Sequence, residues 1–415
     1  MRTIGVVARG VRAPIFHTGD DLPGAVVESV LKASEESGAP IRDRDVIAVT
    51  ESCVARTQGN YATLSQIGLD VRNKIKPSPD GCRRAGLVFP ILSRNSFSML
   101  LRAFSMAVDE LFIQLAYPSD EVGNSLMTID DLDEKNIDPY RDIITEAEYR
   151  RMFGAYVPHR FTGVDYISLY KESAPNAAIF LSNDPRAMLS HTDQVICCDI
   201  HTRERTKRIL QAAGAKAALS MADILNRPVD GSGYNPEYGL YGSNWATGDS
   251  VKLFPRDCPA FVTALSDRFF ERTGKRVEVM VYGDGAFKDP VCGIWELADP
   301  VVSPGFTEGL DGRPNEIKLK HFADNEIPDV SGAAAAEAVK RAILEKEKRV
   351  DKDKDADKNT DREAARGVDR VTTQGTTPRR FTDLLGSLSD LVSGSGDKGT
   401  PIVWVQGYFD SYATE

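Results

Sequence analysis

The middle of the chain, from about residue 85 to 235, repeats one pattern: a short apolar run, a polar loop and then helical sequence. The apolar runs are Gly86 to Leu92, Phe112 to Tyr117, Ala177 to Leu181 and Gln194 to Ile200. Polar residues follow each run, and parallel sheets bring such residues together at their carboxyl edge. The pattern therefore predicts an inserted α/β subdomain over residues 85–235. The alternative is that these polar residues merely begin loops.

Short strand-like and helical segments also flank this region on both sides. They are the predicted strands Val46 to Thr50, Val277 to Tyr282 and Pro401 to Gly407, and the predicted helices Leu22 to Ser34, Ala260 to Arg272 and Phe381 to Val392. By contrast, the polar stretch Glu51 to Gly59 predicts a loop, and Ile4 to Ala8 predicts a first strand. Strands and helices without one regular alternation are typical of an α+β protein.

The predicted organisation divides the chain into a discontinuous core and two insertions. The core comprises residues 1–84, 236–332 and 376–415, and the α/β subdomain occupies residues 85–235. Residues 333–375 form a second insertion, because Lys346 to Arg366 is dominated by charged residues and has almost no apolar side chains. Such a segment cannot bury enough surface to fold alone, so we expect a solvated helix that becomes partly flexible.

The charge balance argues against nucleic-acid and membrane partners. The chain has 51 Lys and Arg against 61 Asp and Glu, which gives a formal charge of −10. An acidic surface repels phosphodiester backbones and anionic lipids. The N-terminus lacks the features of a signal peptide, and no apolar run approaches about 18 residues. With no CxxC pair among six cysteines, we expect a cytoplasmic protein with reduced, buried thiols.

A glycine-rich loop near the C-terminus, Gly394 to Gly399, formally matches GxGxxG. It follows a helix and precedes a strand, which is the reverse of the dinucleotide-binding order. Its glycines would nevertheless let backbone N–H groups approach an anion, and Lys398 adds a positive charge. The loop is therefore a candidate phosphate-binding loop, and a plain flexible connection is the alternative.

Two acidic residues follow the predicted strand Val277 to Tyr282 on a glycine-rich turn. Asp284 and Asp289 are candidate ligands for Mg²⁺ or Mn²⁺, because both ions prefer oxygen ligands and bridge nucleotide phosphates. The alternative is that the two acids only form the turn. A second oxygen and imidazole cluster, otherwise typical of a charged helix face, would comprise Asp199, His201 and Glu204.

Five segments in one order resemble the GTP-dependent glutamyl ligases that extend the deazaflavin coenzyme F420-0 with γ-linked glutamate. They are Pro14 to Leu22, Asp43 to Gly59, Gly239 to Asn244, Thr273 to Gly285 and Asp390 to Gly407. The first, PIFHTGDDL, is similar to the family opening P-[LI]-I-x-x-G-D-D-L, and the third, GLYGSN, is similar to G-[IV]-D-x-S-N. The stretches 65–235 and 290–380 have no counterpart in the compact members.

The resemblance implies an F420-ligase-like mixed α+β core, an intertwined homodimer, and a site for GTP with Mn²⁺ or Mg²⁺. It implies nucleotide binding by Pro14, Ile15, Phe16, Glu51, Ser52, Arg56, Asn244, Gly394, Gly396, Lys398 and Gly399. Asp284 would be a metal ligand, with Asp289 beside it, and Asp284 and Arg56 would be the catalytic residues. Arg56 and Lys398 would neutralise phosphate, and Asn244 would orient the nucleotide.

The chain departs from this family at several of these positions. The metal-binding Asp of G-[IV]-D is Tyr241, the hydroxyl residue after the second Asp is Gly285, and the Glu of G-E-G is Ser395. Fewer carboxylates weaken a two-metal site, because each one both coordinates and neutralises the cation. Asp289, Asp249 or a residue of the inserted region would have to compensate. Arg56 replaces a Lys and keeps its charge but not its geometry.

The function that the resemblance implies is that of a GTP- and metal-dependent amide-bond ligase. It would add an amino acid, L-glutamate, to a small-molecule carboxylate acceptor through an acyl phosphate. Two alternatives stay open. One is a non-catalytic nucleotide-binding regulatory protein on the same scaffold, and the other is a metal-dependent phosphohydrolase that uses Asp199, His201 and Asp284.

Overall fold

The computed structural model describes residues 3–290, 293–296, 298–314, 316–356, 379–394 and 396–414. Helices α1 to α12 are Leu22–Ser37, Glu51–Thr57, Leu64–Lys74, Phe97–Ala107, Ile129–Glu134, Glu146–Phe153, Tyr166–Ser173, Arg203–Ala212, Cys258–Thr273, Leu319–Asn325, Gly332–Ala356 and Phe381–Val392. Strands β1 to β16 are Val7–Val11, Val46–Thr50, Tyr61–Thr63, Arg84–Val88, Glu110–Leu115, Ile144–Thr145, Ala177–Leu181, Gln194–Cys197, Ala217–Ser220, Asn244–Thr247, Ser250–Lys252, Glu278–Tyr282, Phe287–Lys288, Trp295–Glu296, Gly305–Phe306 and Ile402–Gln406. Short 3-10 turns occur at Pro185–Ser190, Met221–Asp223, Glu308–Leu310 and Gly396–Lys398.

A five-stranded mixed sheet has the order β1-β16-β2-β12-β15. Strands β2 and β12 are parallel, and β16 is antiparallel to both β1 and β2. In this register Val11 pairs with Ile402, Ile402 with Val49, and Thr50 with Tyr282. The chain therefore leaves β1, β2 and β12, and enters β16, at one and the same edge of the sheet.

The strands of this sheet bury side chains on both faces. In β2, Ile47 and Val49 pack with α1 and α9 on one face, whereas Val46 and Ala48 pack with α12 on the other. Successive side chains of a strand point to opposite faces, so a short run of apolar residues is what a sheet covered on both sides requires. The α+β class predicted from the sequence is confirmed.

A second, six-stranded sheet has the order β6-β7-β5-β4-β8-β9, and all of its strand pairs except β6 with β7 are parallel. The parallel strands form a doubly wound arrangement, because their order in the sheet reverses between β4 and β8. Helices α3, α4 and α7 cover one face, and α8 contacts the opposite side. The prediction of parallel α/β sequence in this region is confirmed, while the exact domain boundaries stay a prediction.

The described residues also form two smaller sheets. Strands β3, β11 and β10 form a three-stranded antiparallel sheet, and β13 and β14 form a hairpin. Each of them is bonded to a loop at the carboxyl edge of the six-stranded sheet. The Trp245 N–H donates to the Asn95 carbonyl at 3.0 Å, and the Trp295 N–H donates to the Val122 carbonyl at 2.7 Å.

The segment Glu51–Thr57 is a helix and not the predicted loop. It carries only two fully apolar buried residues, Val54 and Ala55, so it has no helical periodicity that its sequence could show. A helix of this length is not stable alone and forms through tertiary packing. The first strand also differs, because β1 starts at Val7, where the pairing with Gln406 of β16 begins.

Helix α11 runs into the charged segment and ends at Ala356. The remainder of the predicted flexible insertion, residues 357–375, lies outside the described residues. Within the described part of the chain, none of the helices combines the length and the apolar character needed to cross a bilayer.

The described cysteines are free thiols, as the sequence indicates, at positions 53, 82, 197, 198 and 258. Cys53 and Cys82 are only partly buried, however. This corrects the expectation that all six are buried; the sixth, Cys292, lies outside the described residues. Cys53 lies on the short helix α2, and Cys82 lies in the turn before β4, where less of the chain covers a side chain.

Candidate functional site

Four segments predicted from the sequence converge at the carboxyl edge of β2 and β12. The loop with Pro14 follows β1, helix α2 follows β2, and the loop with Asp284 follows β12. The glycine-rich loop precedes β16 at the same edge. Two backbone bonds join the segments: Ala13 N–H donates to the Gly399 carbonyl at 3.3 Å, and Thr50 N–H donates to the Pro401 carbonyl at 3.0 Å.

Arg56 is held against the first of these loops. Its Nε donates to the Phe16 carbonyl at 2.6 Å, and the Gly19 N–H donates to the Thr57 carbonyl at 2.9 Å. The Phe16 ring is buried in the core beneath α1 and α9, whereas Pro14 and Ile15 are exposed. The structure therefore brings Arg56 together with the loop of residues 14–16.

The glycine-rich loop closes on itself like a hairpin. The Gly394 N–H donates to Thr400 Oγ1 at 2.8 Å. The stem of Lys398 packs over Gly394, where a Cβ would lie 2.2 Å from the Cβ of Lys398. Gly396 and Gly399 have positive φ angles of 76° and 62°, which glycine adopts at no steric cost. The loop fixes Lys398 near this edge; its Ser395 lies outside the described residues.

A buried ion pair lies at the start of α2. Lys252 Nζ donates to both carboxylate oxygens of Glu51, at 2.6 and 2.7 Å, and the two side chains are 10% and 9% exposed. Across the three-stranded sheet Lys252 pairs with Asn244, so these two residues share one sheet face. Ser52, next to Glu51, is half-buried. Sequence reasoning missed Lys252, although a lone lysine inside an apolar run is a visible signal.

The Asp284 loop is built around a second carboxylate, Asp299, which sequence reasoning also missed. Asp299 Oδ2 accepts a hydrogen bond from the Asp284 N–H at 2.9 Å. A Cβ on Gly283 would lie 2.2 Å from the same oxygen, so only glycine allows this approach. Asp299 is 5% exposed. Burial, together with the negative charges of Asp284 and Glu51, raises its pKa well above the usual value, and the nearby Lys252 partly offsets this.

A third carboxylate supports the other side of the same loop. Asp390 of α12 accepts from the Gly285 N–H at 3.0 Å, and Ser387 Oγ accepts from the Ala286 N–H at 2.9 Å. Burial raises the pKa of Asp390. A Cβ on Gly285 would lie 3.0 Å from both the Asp390 carboxylate and the Ser387 Cα. This crowding explains why glycine replaces the hydroxyl residue of the resembling family.

Replacing Asp299 by asparagine is expected to stabilise the protein at neutral pH. The pKa of Asp299 is raised in the folded state, so above about pH 4 the unfolded chain ionises first and the free energy of unfolding falls as the pH rises. Asparagine keeps an acceptor for the Asp284 N–H but cannot ionise. Thermal melts with EDTA at pH 5 and pH 8 should show a gain for Asp299→Asn that is larger at pH 8. A gain that is absent, or that is no larger at pH 8 than at pH 5, would contradict this assignment.

Asp284 and Asp299 are the carboxylates whose arrangement fits a nucleotide-bound Mg²⁺ or Mn²⁺. Among the described residues, no three His, Cys, Asp or Glu side chains are close enough to hold a metal by themselves. A magnesium ion bound to a nucleotide, however, usually takes one or two carboxylates and completes its shell with phosphates and waters. Asp284, whose backbone N–H donates to the Asp299 carboxylate, and Asp299 therefore supply two carboxylates that suit a metal arriving with phosphate.

The other predicted metal ligands lie in different surroundings. Asp289 closes the turn of the β13–β14 hairpin, where its N–H donates to the Ile294 carbonyl at 2.8 Å. Asp249 is mostly exposed and lies 3.5 Å from Arg102 in an ion pair. A role for Asp289 in metal binding stays a prediction.

Tyr241, which stands where the family has a metal-binding Asp, has a structural environment. Its ring is buried, and its hydroxyl lies 3.1 Å from the Cys197 carbonyl and 2.9 Å from the Asp199 carbonyl. The Arg203 guanidinium lies 4.8 Å from the ring centroid. The Tyr241 side chain thus connects its own segment to the end of β8 through the two carbonyl groups that its hydroxyl contacts.

The second cluster predicted from the sequence lies at the carboxyl end of β8 in the six-stranded sheet. Asp199 Oδ2 accepts hydrogen bonds from Thr202 and Thr206, at 2.6 and 2.7 Å. The His201 N–H donates to Glu121 at 3.1 Å. These bonds organise the start of α8.

Comparison with protein families matches residues 10–407 to the model of one family, F420-0:Gamma-glutamyl ligase. The match includes the six-stranded sheet, the five-stranded sheet except the first three residues of β1, and every loop at the carboxyl edge of β2 and β12. Among curated proteins, no significant match to the sequence was found.

Proposed function

Because the chain belongs to the F420-0:gamma-glutamyl ligase family, we propose that it is a GTP- and divalent-metal-dependent ligase that joins L-glutamate to a small-molecule carboxylate acceptor. The observation that carries this proposal is the convergence of the Pro14 loop, Arg56, Asp284 and the glycine-rich loop at one sheet edge. We further propose that the enzyme is a cytoplasmic homodimer with the nucleotide near the dimer interface.

The reaction requires activation, because a carboxylate is a poor electrophile towards an amine. In the first step an oxygen of the acceptor carboxylate attacks the γ-phosphorus of GTP, and the bond from that phosphorus to GDP breaks. In the second step the glutamate amine attacks the carbon of the acyl phosphate, phosphate leaves, and the amine releases a proton to solvent. The protein contributes positioning and electrostatic stabilisation to both steps.

The side chains at the sheet edge divide these tasks. Arg56 and Lys398 neutralise phosphate charge, and Asn244 orients the nucleotide. Asp284 and Asp299 would hold the divalent ion, which would supply charge neutralisation at the transferred phosphoryl group. The close approach of Asp299 to Gly283 and its bond to the Asp284 N–H hold the Asp299 carboxylate in place before the nucleotide binds, so little reorganisation of this group is needed at the moment of reaction.

Thermal melts with GTP, ATP or no nucleotide, each with and without Mn²⁺, test nucleotide binding directly. A ligand that binds the native state raises the melting temperature by mass action. We expect a rise with GTP that requires Mn²⁺ and disappears in Asp284→Ala. Phosphate release that depends on both glutamate and a carboxylate acceptor would then establish ligation. If no nucleotide changes the melting temperature, the proposal is wrong.

A non-catalytic nucleotide-binding protein is the second candidate, and the environment of Tyr241 favours it. A buried phenol bound to two carbonyls supplies no carboxylate, so one family metal ligand is missing. This candidate predicts a rise in melting temperature with nucleotide that is indifferent to Mn²⁺, without turnover. Phosphate release that needs no amino acid would instead point to a phosphohydrolase.

A further inference from the structure

The Glu51–Lys252 pair is a buried charge pair that joins α2 to the three-stranded sheet. Lys252 lies in β11 and is followed by Leu253 and Phe254, which are fully buried, as is the preceding Val251. Moving two charges out of water costs several kcal/mol per ion, so a pair of this kind is seldom retained for stability alone. Its position at the carboxyl edge of β2, beside the Asp284 loop, points to a ligand.

The ammonium group of Lys252 retains a donor for such a ligand. A lysine has three N–H donors, and within the described part of the chain the acceptors recorded for Nζ are the two oxygens of Glu51. Glu51 fixes the ammonium from one side with a bidentate contact. Lys252 therefore has one N–H donor left, and its ammonium group is held in place before any ligand binds.

Lys252 also lies near Arg56, the cation that the proposed function assigns to phosphate. Cys53 lies two residues after Glu51 on α2. Burial and the charge of Glu51 raise the pKa of its thiol, and the charges of Lys252 and Arg56 partly offset this rise. The positive charge of Lys252 also partly offsets the rise in the pKa of the buried Asp299. Because Glu51 and Arg56 both belong to α2, the ion pair holds Lys252 against the helix that carries Arg56.

We propose that Lys252 binds a phosphate group of the nucleotide and that Glu51 is its positioning residue. This inference rests on the proposed function. The fixed ammonium supplies positive charge that a second metal ion would otherwise supply, in a site where Tyr241 provides no carboxylate. The enzyme would then use one divalent ion with each nucleotide.

Binding measurements on the full chain test this role. We expect Lys252→Met to weaken GTP binding in the presence of Mn²⁺ at least about tenfold, because a charge-assisted hydrogen bond is lost. Lys252→Arg should recover part of the affinity. Counting bound Mn²⁺ by electron paramagnetic resonance at saturating GTP should give one ion per chain for the wild type. As a control, Lys207→Met removes a lysine of α8 that forms a half-buried ion pair with Asp223. This variant should leave GTP affinity unchanged.

A double variant separates binding from folding. Lys252→Met alone leaves the Glu51 carboxylate buried without its partner and is expected to lower stability, whereas Glu51→Gln with Lys252→Met removes both charges and should regain stability without regaining GTP affinity. Wild-type GTP affinity in the double variant, or two Mn²⁺ ions per chain, would overturn the role of Lys252 and leave the proposed ligase intact. Absence of GTP binding to the wild type would overturn both proposals.

Discussion

Replacing Asp284 by asparagine is expected to lower the rate of GTP-dependent ligation at least about a hundredfold, by analogy with the loss of other groups that hold transition-state charge. Asparagine keeps the size of the side chain and the backbone bond to Asp299, but it removes the negative charge that would hold the metal against the phosphates. Steady-state phosphate release at saturating GTP and Mn²⁺ measures the effect. The melting temperature should change little, because the carboxylate is only half-buried.

Two matched substitutions sharpen this test. Asp267→Asn removes an exposed carboxylate of α9 that lies 3.8 Å from Arg276 in an ion pair, and its activity should equal that of the wild type. Asp289→Asn should reduce activity much less than Asp284→Asn, because Asp289 lies in the hairpin turn. Equal losses at Asp284 and Asp289 would show that both hold the metal, and full activity of Asp284→Asn would show that neither the proposed ion nor its ligand is needed.

Tyr241→Asp is expected to destabilise the protein by about 3 to 5 kcal/mol, the range for removing a large buried aromatic side chain. The substitution restores the residue type of the family, yet at this position the carboxylate would face the Cys197 and Asp199 carbonyl oxygens. The lost ring leaves space beside the end of β8, and the shorter side chain buries a carboxylate there. Chemical denaturation of the metal-free protein measures the loss.

Tyr241→Phe isolates the contribution of the hydroxyl group. It keeps the ring and its contact with Arg203 and removes only the bonds to the two carbonyls, so we expect a loss of about 1 to 2 kcal/mol. Nucleotide affinity of Tyr241→Phe should match the wild type. If Tyr241→Asp is as stable as the wild type and binds an additional Mn²⁺, the structural role assigned to Tyr241 is wrong.

Local sequence predicted the strands that are covered on both faces, since their apolar runs are short and bounded by polar turns. Val46–Thr50, Ala177–Leu181 and the helix Phe381–Val392 were placed at the bounds that the structure shows. Strand pairing across long separations could not be read in this way. The bounds of the edge strand β1 and of the short helix α2 depend on partners elsewhere in the chain, so their own sequences do not predict these bounds.

The candidate site was predictable only where single loops carry recognisable chemistry. The order of motifs led to Arg56, Asp284 and the glycine-rich loop, and the sheet topology explains why they meet. Asp299 and Lys252 were missed for the same physical reason. Asp299 lies 15 residues after the N–H that it accepts from, and Lys252 lies 201 residues from Glu51, so nothing in the local sequence of either residue indicates its partner.

The position of β16 in the five-stranded sheet dictates an order of assembly during synthesis. This strand lies between β1 and β2, yet it is the last strand of the chain, and Arg9 meets Gln406 across 397 residues. All strands of the six-stranded sheet lie within residues 84–220, so they are all synthesised long before β16. A ribosome-bound chain therefore folds the inserted sheet while β1 and β2 still lack their shared neighbour. Chains truncated before β16 would leave both strands with an open edge, the kind of surface that recruits strands from other molecules.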